Sequence, residues 1–147
     1  MLYFDTAPLG YKFKQLNDLF TARMNQELRE QDLTYAQLGV LFYLLHHPEQ
    51  KINQQILADA LSVSHPTMVG TLSRMEEKGL LLRVQDQANR RSRIITLTEI
   101  GHQRIQQIQA SHDRMNQHLM DALSEEEQYA LNQILNKIYG SIKEVHR

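Results

Sequence analysis

The sequence predicts a mostly α protein carrying one small β-hairpin, in the layout of a winged helix-turn-helix. Three observations lead there. Only three prolines and six glycines interrupt 147 residues, and between them apolar side chains recur at helical spacing. Residues 80–97 alone are rich in strand formers on both sides of a polar tip. Directly before that hairpin stand a short helix, a tight turn and a second helix, so the second helix has a partner helix on one side and a hairpin on the other.

The elements follow in order. A first helix is expected from about Leu9 to Arg29, where Phe13, Leu16, Phe20 and Met24 make one apolar stripe. A second opens at Thr34, whose hydroxyl caps it while Gln37 completes a capping box, and it ends at Pro48. A short third helix from Asn53 is expected to turn Ile56, Leu57, Ala60 and Leu61 inward. After the turn Leu61-Ser62-Val63, Ser64 caps a fourth helix that accepts Pro66 in its first turn, where backbone N–H groups have no intrahelical acceptor. Met68, Leu72 and Met75, with Thr71 beside them, form its inward set, and Gly79 closes it. Strands are expected at Leu80–Val84 and Arg93–Leu97. Thr98 caps a fifth helix with the stripe Ile105, Ile108, Met115 and Leu119; Ser124 and Glu127 box the start of a last helix with Leu131, Ile134, Leu135, Ile138 and Ile142 on one side.

Composition narrows the function classes. With no cysteine there is no disulfide framework, thiolate nucleophile or thiol-based peroxide sensor. The longest apolar run, Leu38–Leu45, has eight residues, far short of the about 20 that span a bilayer, so no membrane segment is expected. Asp5 comes early and no basic leader precedes it, which makes a cytoplasmic location the expectation. The net charge of -1 hides an uneven distribution. Residues 1–51 hold five basic and six acidic side chains, residues 52–98 six and four, and residues 99–147 five and seven. Only the middle is positive, and there Arg83, Arg90, Arg91 and Arg93 stand against a single Asp86. A hairpin that merely covered a core would not need that tip, whereas phosphates on either side of a groove would attract it.

Four motifs then carry a resemblance. Leu57-Ala58-Asp59-Ala60-Leu61-Ser62-Val63-Ser64, Arg74-Met75-Glu76-Glu77-Lys78-Gly79-Leu80, Asp86-Gln87-Ala88-Asn89-Arg90-Arg91 and Leu97-Thr98-Glu99-Ile100-Gly101 occur in order and at spacings that resemble the MarR family of transcription regulators. The resemblance runs nearly end to end. It implies a single MarR-type domain over 1–147, with a DNA-binding lobe at 34–98 and a helical dimerisation region from 1–33 and 99–147. It also implies a homodimer on double-stranded DNA with a palindromic operator, acting as a repressor released by a small aromatic or phenolic effector. The chain departs from the family where Ser62 replaces the usual glycine, and where Ala88 and Asn89 replace an arginine and an aspartate of the wing. His65 and Gly70 stand where members often carry arginine.

Sorting the fourth helix by face leaves Ser64, His65, Pro66, Thr67, Val69, Gly70, Ser73 and Arg74 for DNA. Short hydroxyls suit phosphate oxygens and base edges, His65 can donate to guanine or phosphate, and Val69 can meet a thymine methyl. Arg74 suits a phosphate. Gly70 costs roughly 1 kcal/mol in a helix interior, for which either close approach to DNA or avoidance of a clash is a reason. By the resemblance, Arg90 reaches the minor groove, where narrow A·T tracts attract guanidinium groups, with Arg91 beside it.

An effector pocket is expected among Phe13, Phe20, Tyr35 and Phe42, on helices that line the hinge between the lobes. The apolar stripes of the first, fifth and sixth helices exceed what one lobe can cover, which independently points to a dimer. Seven histidines raise a metal reading, but His46 with His47 and His112 with His118 lack ligand spacing, and no metal or other cofactor is expected. His112 falls on the fifth helix's stripe and reads as an interface residue, with a sensor as the alternative. No nucleophile elbow, H-E-x-x-H or phosphate-binding glycine loop is present, and Glu125-Glu126-Glu127 suit a helix N-terminus, so no enzymatic activity is expected. The rival from another class is a protein-interaction module on a winged-helix scaffold without DNA binding.

Overall fold

The computed structural model describes residues 3–145. Its elements are α1 (Tyr3–Thr6), α2 (Leu9–Leu28), a 3-10 turn (Arg29–Gln31), α3 (Tyr35–His46), α4 (Gln54–Ala60), α5 (His65–Glu77), β1 (Leu81–Gln85), β2 (Arg93–Leu97), α6 (Glu99–Met120) and α7 (Glu125–Glu144). This is a helical protein with a two-stranded antiparallel wing, as expected. The four-residue α1 was not expected, being too short to show a period. The chain forms two compact units, one ending at Ala110 and the other beginning at Ser111.

In the first unit the caps stand where the sequence puts them. Thr34 accepts from the Gln37 N–H while the Gln37 side chain accepts from the Thr34 N–H, each at 3.2 Å. Asn53 accepts from the Ile56 N–H at 3.0 Å, and Ser64 from the Thr67 N–H at 3.3 Å. Each bond satisfies a backbone donor that the first helical turn leaves unpaired. The core gathers Met24 and Leu28 of α2, Leu38 and Leu41 of α3, Leu57 of α4, Met68, Leu72 and Met75 of α5, Leu81 of β1 and Ile105 of α6, all fully buried. Thr71 is buried with the α5 set, as expected, its hydroxyl donating to the Thr67 carbonyl at 3.0 Å.

One expected face is wrong. In α4, Leu57 and Ala58 are buried and Leu61 half-buried, whereas Ile56 and Ala60 are exposed. A seven-residue helix can bury only one side, and the packing against α5 selects the Leu57 stripe over the neighbouring Ile56–Ala60 stripe. The stripe of α2 is buried only at Met24; Phe13 and Phe20 are half-buried and Leu16 is exposed. On α6, Ile105 and Ile108 are buried and Met115 half-buried, while Leu119 is exposed.

The hairpin pairs Leu81 with Leu97 and Gln85 with Arg93. A further rung comes from outside it: the Ile95 N–H donates to the Ile52 carbonyl at 2.8 Å, tying the segment before α4 to β2. Gly79 leaves α5 with φ of +70°, the left-handed conformation that ends helices most readily at glycine. Thr98 grips this turn, its hydroxyl donating to the Gly79 carbonyl at 2.5 Å and accepting from the Gly101 N–H at 3.0 Å. A methyl group built on Gly101 would overlap the Leu80 carbonyl oxygen, so α6 docks against that turn only because residue 101 has no side chain.

The second unit holds the end of α6 and α7. Ser124 and Glu127 form the expected capping box, at 2.8 and 3.2 Å. The Gln128 side chain donates to the Met120 and Leu123 carbonyls at 3.1 and 3.2 Å and closes the turn between the helices. Leu131, Ile134, Leu135 and Ile142 are exposed in the single chain and Ile138 is half-buried.

Candidate nucleic-acid interface

Burial of Met68, Thr71, Leu72 and Met75 fixes the rotation of α5 and thereby which side chains face outward. Ser64, His65, Pro66, Thr67, Val69 and Arg74 are exposed, and Gly70 and Ser73 are half-buried. Ser64 and Thr67 are linked hydroxyl to hydroxyl at 2.8 Å. A methyl group on Gly70 would meet only the Arg74 guanidinium, at an ordinary 3.6 Å. No clash inside the chain therefore accounts for this glycine.

The wing departs from the expected arithmetic of charge. Arg83 is not a tip cation: its Nε and Nη2 donate to Glu76 Oε2 of α5 at 2.9 and 2.5 Å, and its N–H donates to Glu76 Oε1 at 3.3 Å. Its Nη2 also reaches the Ser73 hydroxyl at 3.4 Å, which turns Ser73 toward the root of the wing. Hydrogen bonds from Arg83 hold the Glu76 carboxyl below the usual carboxylate range. Asp86, in turn, pairs with Lys51 at 3.2 Å and accepts from the Ala88 N–H at 3.0 Å. The backbone bond from Ala88, then Lys51, hold its carboxyl below the usual range too.

Several hydrogen bonds brace the tip. Asn89 accepts from the Arg91 N–H at 3.2 Å, the Gln85 side chain donates to the Arg90 carbonyl at 2.8 Å, and the Asp86 N–H donates to the Ser92 carbonyl at 2.9 Å. Asn89 thus meets an arginine through the backbone rather than through its guanidinium. Arg90 and Arg91 project from this frame, both exposed. Between the wing and the start of α4 lies a cleft of about 360 Å³ whose lining includes Gln54, His65, Arg83, Arg91 and Arg93. Gln54, absent from the sequence reading, lies 2.8 Å from His65, Nε2 to Nε2. The only signal that could have found it is its position as the first residue of one helix beside the first of the next.

Of the expected pocket residues, the structure brings Phe20 and Tyr35 together, edge to face with centroids 5.3 Å apart. Burial raises the Tyr35 phenol pKa, and the Tyr35 N–H donates to Asn25 Oδ1 at 2.7 Å. Phe42 instead faces His46, 6.1 Å away, and Phe13 lies two turns before Phe20. Three of the histidines are engaged separately: Nδ1 of His46 and of His47 each lie 2.7 Å from the carbonyl four residues back, and half-buried His112 lies 3.6 Å from Asp113. Among the described residues no group of three or more metal-ligating side chains comes together, and no helix is long and apolar enough to cross a membrane.

Residues 31–92 match the sequence profile of the MarR family. The crystal structure of a Staphylococcus aureus MepR–DNA complex is 30% identical, covers 92% of this chain and 98% of its own, and superposes with a TM-score of 0.86. The chain belongs to the MarR family. A crystal structure of MarR itself is 27% identical over 95% of this chain and 94% of its own, with a TM-score of 0.80. The transcriptional regulator SlyA shares the fold, at 24% identity over 94% of this chain and 96% of its own and a TM-score of 0.84.

The MarR-like motifs acquire physical roles in this chain. Its Leu97-Thr98-Glu99-Ile100-Gly101 segment seats α6 on the Gly79–Leu80 turn. Ser62, the departure from the usual glycine, has φ of +54°, so a side chain here occupies left-handed backbone that glycine enters without penalty.

Proposed function

We propose that this MarR-family protein is a DNA-binding transcription regulator, with α5 as the major-groove element and the wing as the minor-groove element. One observation carries the reading. The buried stripe of α5 leaves His65, Thr67, Val69 and Arg74 on its outer face, while Arg90 and Arg91 project from a hydrogen-bonded wing whose root is ion-paired to the same helix. A relative with 30% identity over nearly its whole length has been solved on DNA, which supports the same use of these elements. Residues 34–98 then form the DNA-binding lobe, and residues 1–33 and 99–147 the dimerisation region. Two such lobes suit a palindromic operator, since the symmetry of a dimer is mirrored in its site.

In this reading the protein is a cytoplasmic repressor rather than an enzyme, released by a small aromatic acid or phenol bound near Phe20 and Tyr35. The test is a gel shift on the duplex directly upstream of its own coding region, beside a random duplex of equal length. Preferential retardation of the upstream duplex is expected, and equal binding of both would count against sequence-specific regulation. A panel of aromatic acids should raise the melting temperature and release the bound duplex; failure on both counts would remove the effector from the reading.

A further inference from the structure

We infer that Gln54 is a specificity-determining positioning residue: it orients His65 and sets which ring nitrogen carries the proton, and so controls what His65 reads on DNA. The inference rests on the DNA-binding reading above and names a residue that reading does not use. Gln54 opens α4 and His65 opens α5, and the caps Asn53 and Ser64 fix the backbone at both positions. The two side chains meet at 2.8 Å through Gln54 Nε2 and His65 Nε2. An imidazole donates through one nitrogen and accepts through the other, and the partner of one nitrogen decides the role of the other. With the Gln54 amide donating to Nε2, the ring proton resides on Nδ1, and His65 presents a donor to its target.

That donor matches the major-groove acceptors, N7 and O6 of guanine, N7 of adenine and O4 of thymine, and mismatches the amino groups of adenine and cytosine; guanine alone offers it two adjacent acceptors with no amino group beside them. In a helix-turn-helix the first helix crosses the phosphate backbone while the start of the second meets base edges, so Gln54 acts through His65. Elsewhere in the cleft, Arg91 and Arg93 supply positive charge, which attracts phosphate without regard to sequence.

The experiment uses full-length protein and a duplex that the parent chain selects from a randomised pool. Dissociation constants are measured for that duplex, for every single-base variant of it and for random DNA, with the parent, Gln54→Met, His65→Ala and the double variant. Gln54→Met keeps the length of the side chain and removes its hydrogen bond, and thermal melts establish that each variant is folded. Expected is a loss of discrimination of about five- to tenfold, confined to the base pair at which His65→Ala also loses discrimination, with affinity for random DNA within about twofold of the parent. In the His65→Ala background, Gln54→Met should then change nothing further. A uniform loss on all duplexes that persists in that background would make Gln54 an independent phosphate contact and overturn the proposal. Unchanged discrimination in Gln54→Met would overturn it as well. Failure of the underlying reading looks different: the parent chain would select no duplex over random DNA, and both proposals would fall together.

Discussion

Arg83 reaches from β1 back to Glu76 of α5 and places both its Nε and its Nη2 on the same carboxylate oxygen, at 2.9 and 2.5 Å. The strand that starts the wing is thereby ion-paired to the helix proposed to read DNA. Because Arg83 holds the Glu76 carboxyl below its ordinary value of 4.5, the contribution of the pair is fully present above that value and is lost as the pH falls through the folded-state value. Glu76→Gln should therefore melt lower than the parent at pH 7, and the gap should narrow as the pH is taken from 6 to 3. Parallel melting curves over that range would show that the pair contributes no acid-sensitive stability.

At Gly70 stability and binding should move in opposite directions. Since a methyl there meets only the Arg74 guanidinium at 3.6 Å, Gly70→Ala should stabilise the fold by roughly 0.5 to 1 kcal/mol. Affinity for operator should nevertheless fall, because on the proposed reading the methyl would intrude between the helix and the DNA. Denaturant melts and binding isotherms on one preparation separate the effects. A stabilised variant with unchanged affinity would rule out close approach at this position.

Gly101→Ala should behave in the contrary way. Here the added methyl meets the Leu80 carbonyl, which cannot rotate aside, and overpacking of this kind costs about 1 to 3 kcal/mol. Urea denaturation provides the value, and a change within about 0.5 kcal/mol of the parent would mean that the Gly79–Leu80 turn can yield.

Arg74→Ala and Arg90→Ala should weaken DNA binding by different routes. Loss of a phosphate contact at Arg74 should lower affinity about equally for operator and random DNA and reduce the salt slope by about one unit. Loss of Arg90 should be felt most on operators with A·T-rich flanks, where the minor groove is narrow. Dissociation constants at two salt concentrations on operator, flank-swapped operator and random DNA distinguish the two. Arg90→Ala binding all three as tightly as the parent would remove the wing from the interface and favour a protein-interaction module.

Assembly gives the last expectation. Leu16 and Leu19 on α2 and Ile134, Leu135 and Ile142 on α7 are exposed in the single chain, at 41% or more of their full area. Faces of this kind are covered between copies in stable dimers. Sedimentation velocity at micromolar concentration should show a dimer, and a monomer there would contradict the proposed assembly.

How much of this was legible beforehand depended on how far apart the partners lie in the chain. The Thr34–Gln37 and Ser124–Glu127 boxes and the Gly79 stop are local patterns, and all three stand as expected. The α5 faces were legible because thirteen residues are enough for the helical period to separate them, whereas α4, at seven, offered two apolar stripes and no means of choosing. Arg83 looked like a tip cation because its acid sits on another element, and Asp86 looked like its counter-charge because Lys51, its actual partner, lies 35 residues earlier. Ile52 gave no strand signal, since a single rung has no alternation to show.

The wing is moored at three points on two parts of its surroundings: Arg83 to Glu76 on α5, and Asp86 and the Ile95 amide to the consecutive residues Lys51 and Ile52 before α4. A hairpin held this way cannot swing about its own root. On the proposed reading, α5 and Arg90 then act as the two jaws of a calliper with a set opening, and helical phase becomes part of what is recognised. One base pair inserted between the bases under α5 and the A·T flank under Arg90 would rotate the flank by a tenth of a turn and carry its narrow groove out of reach, though every contacted base were still present.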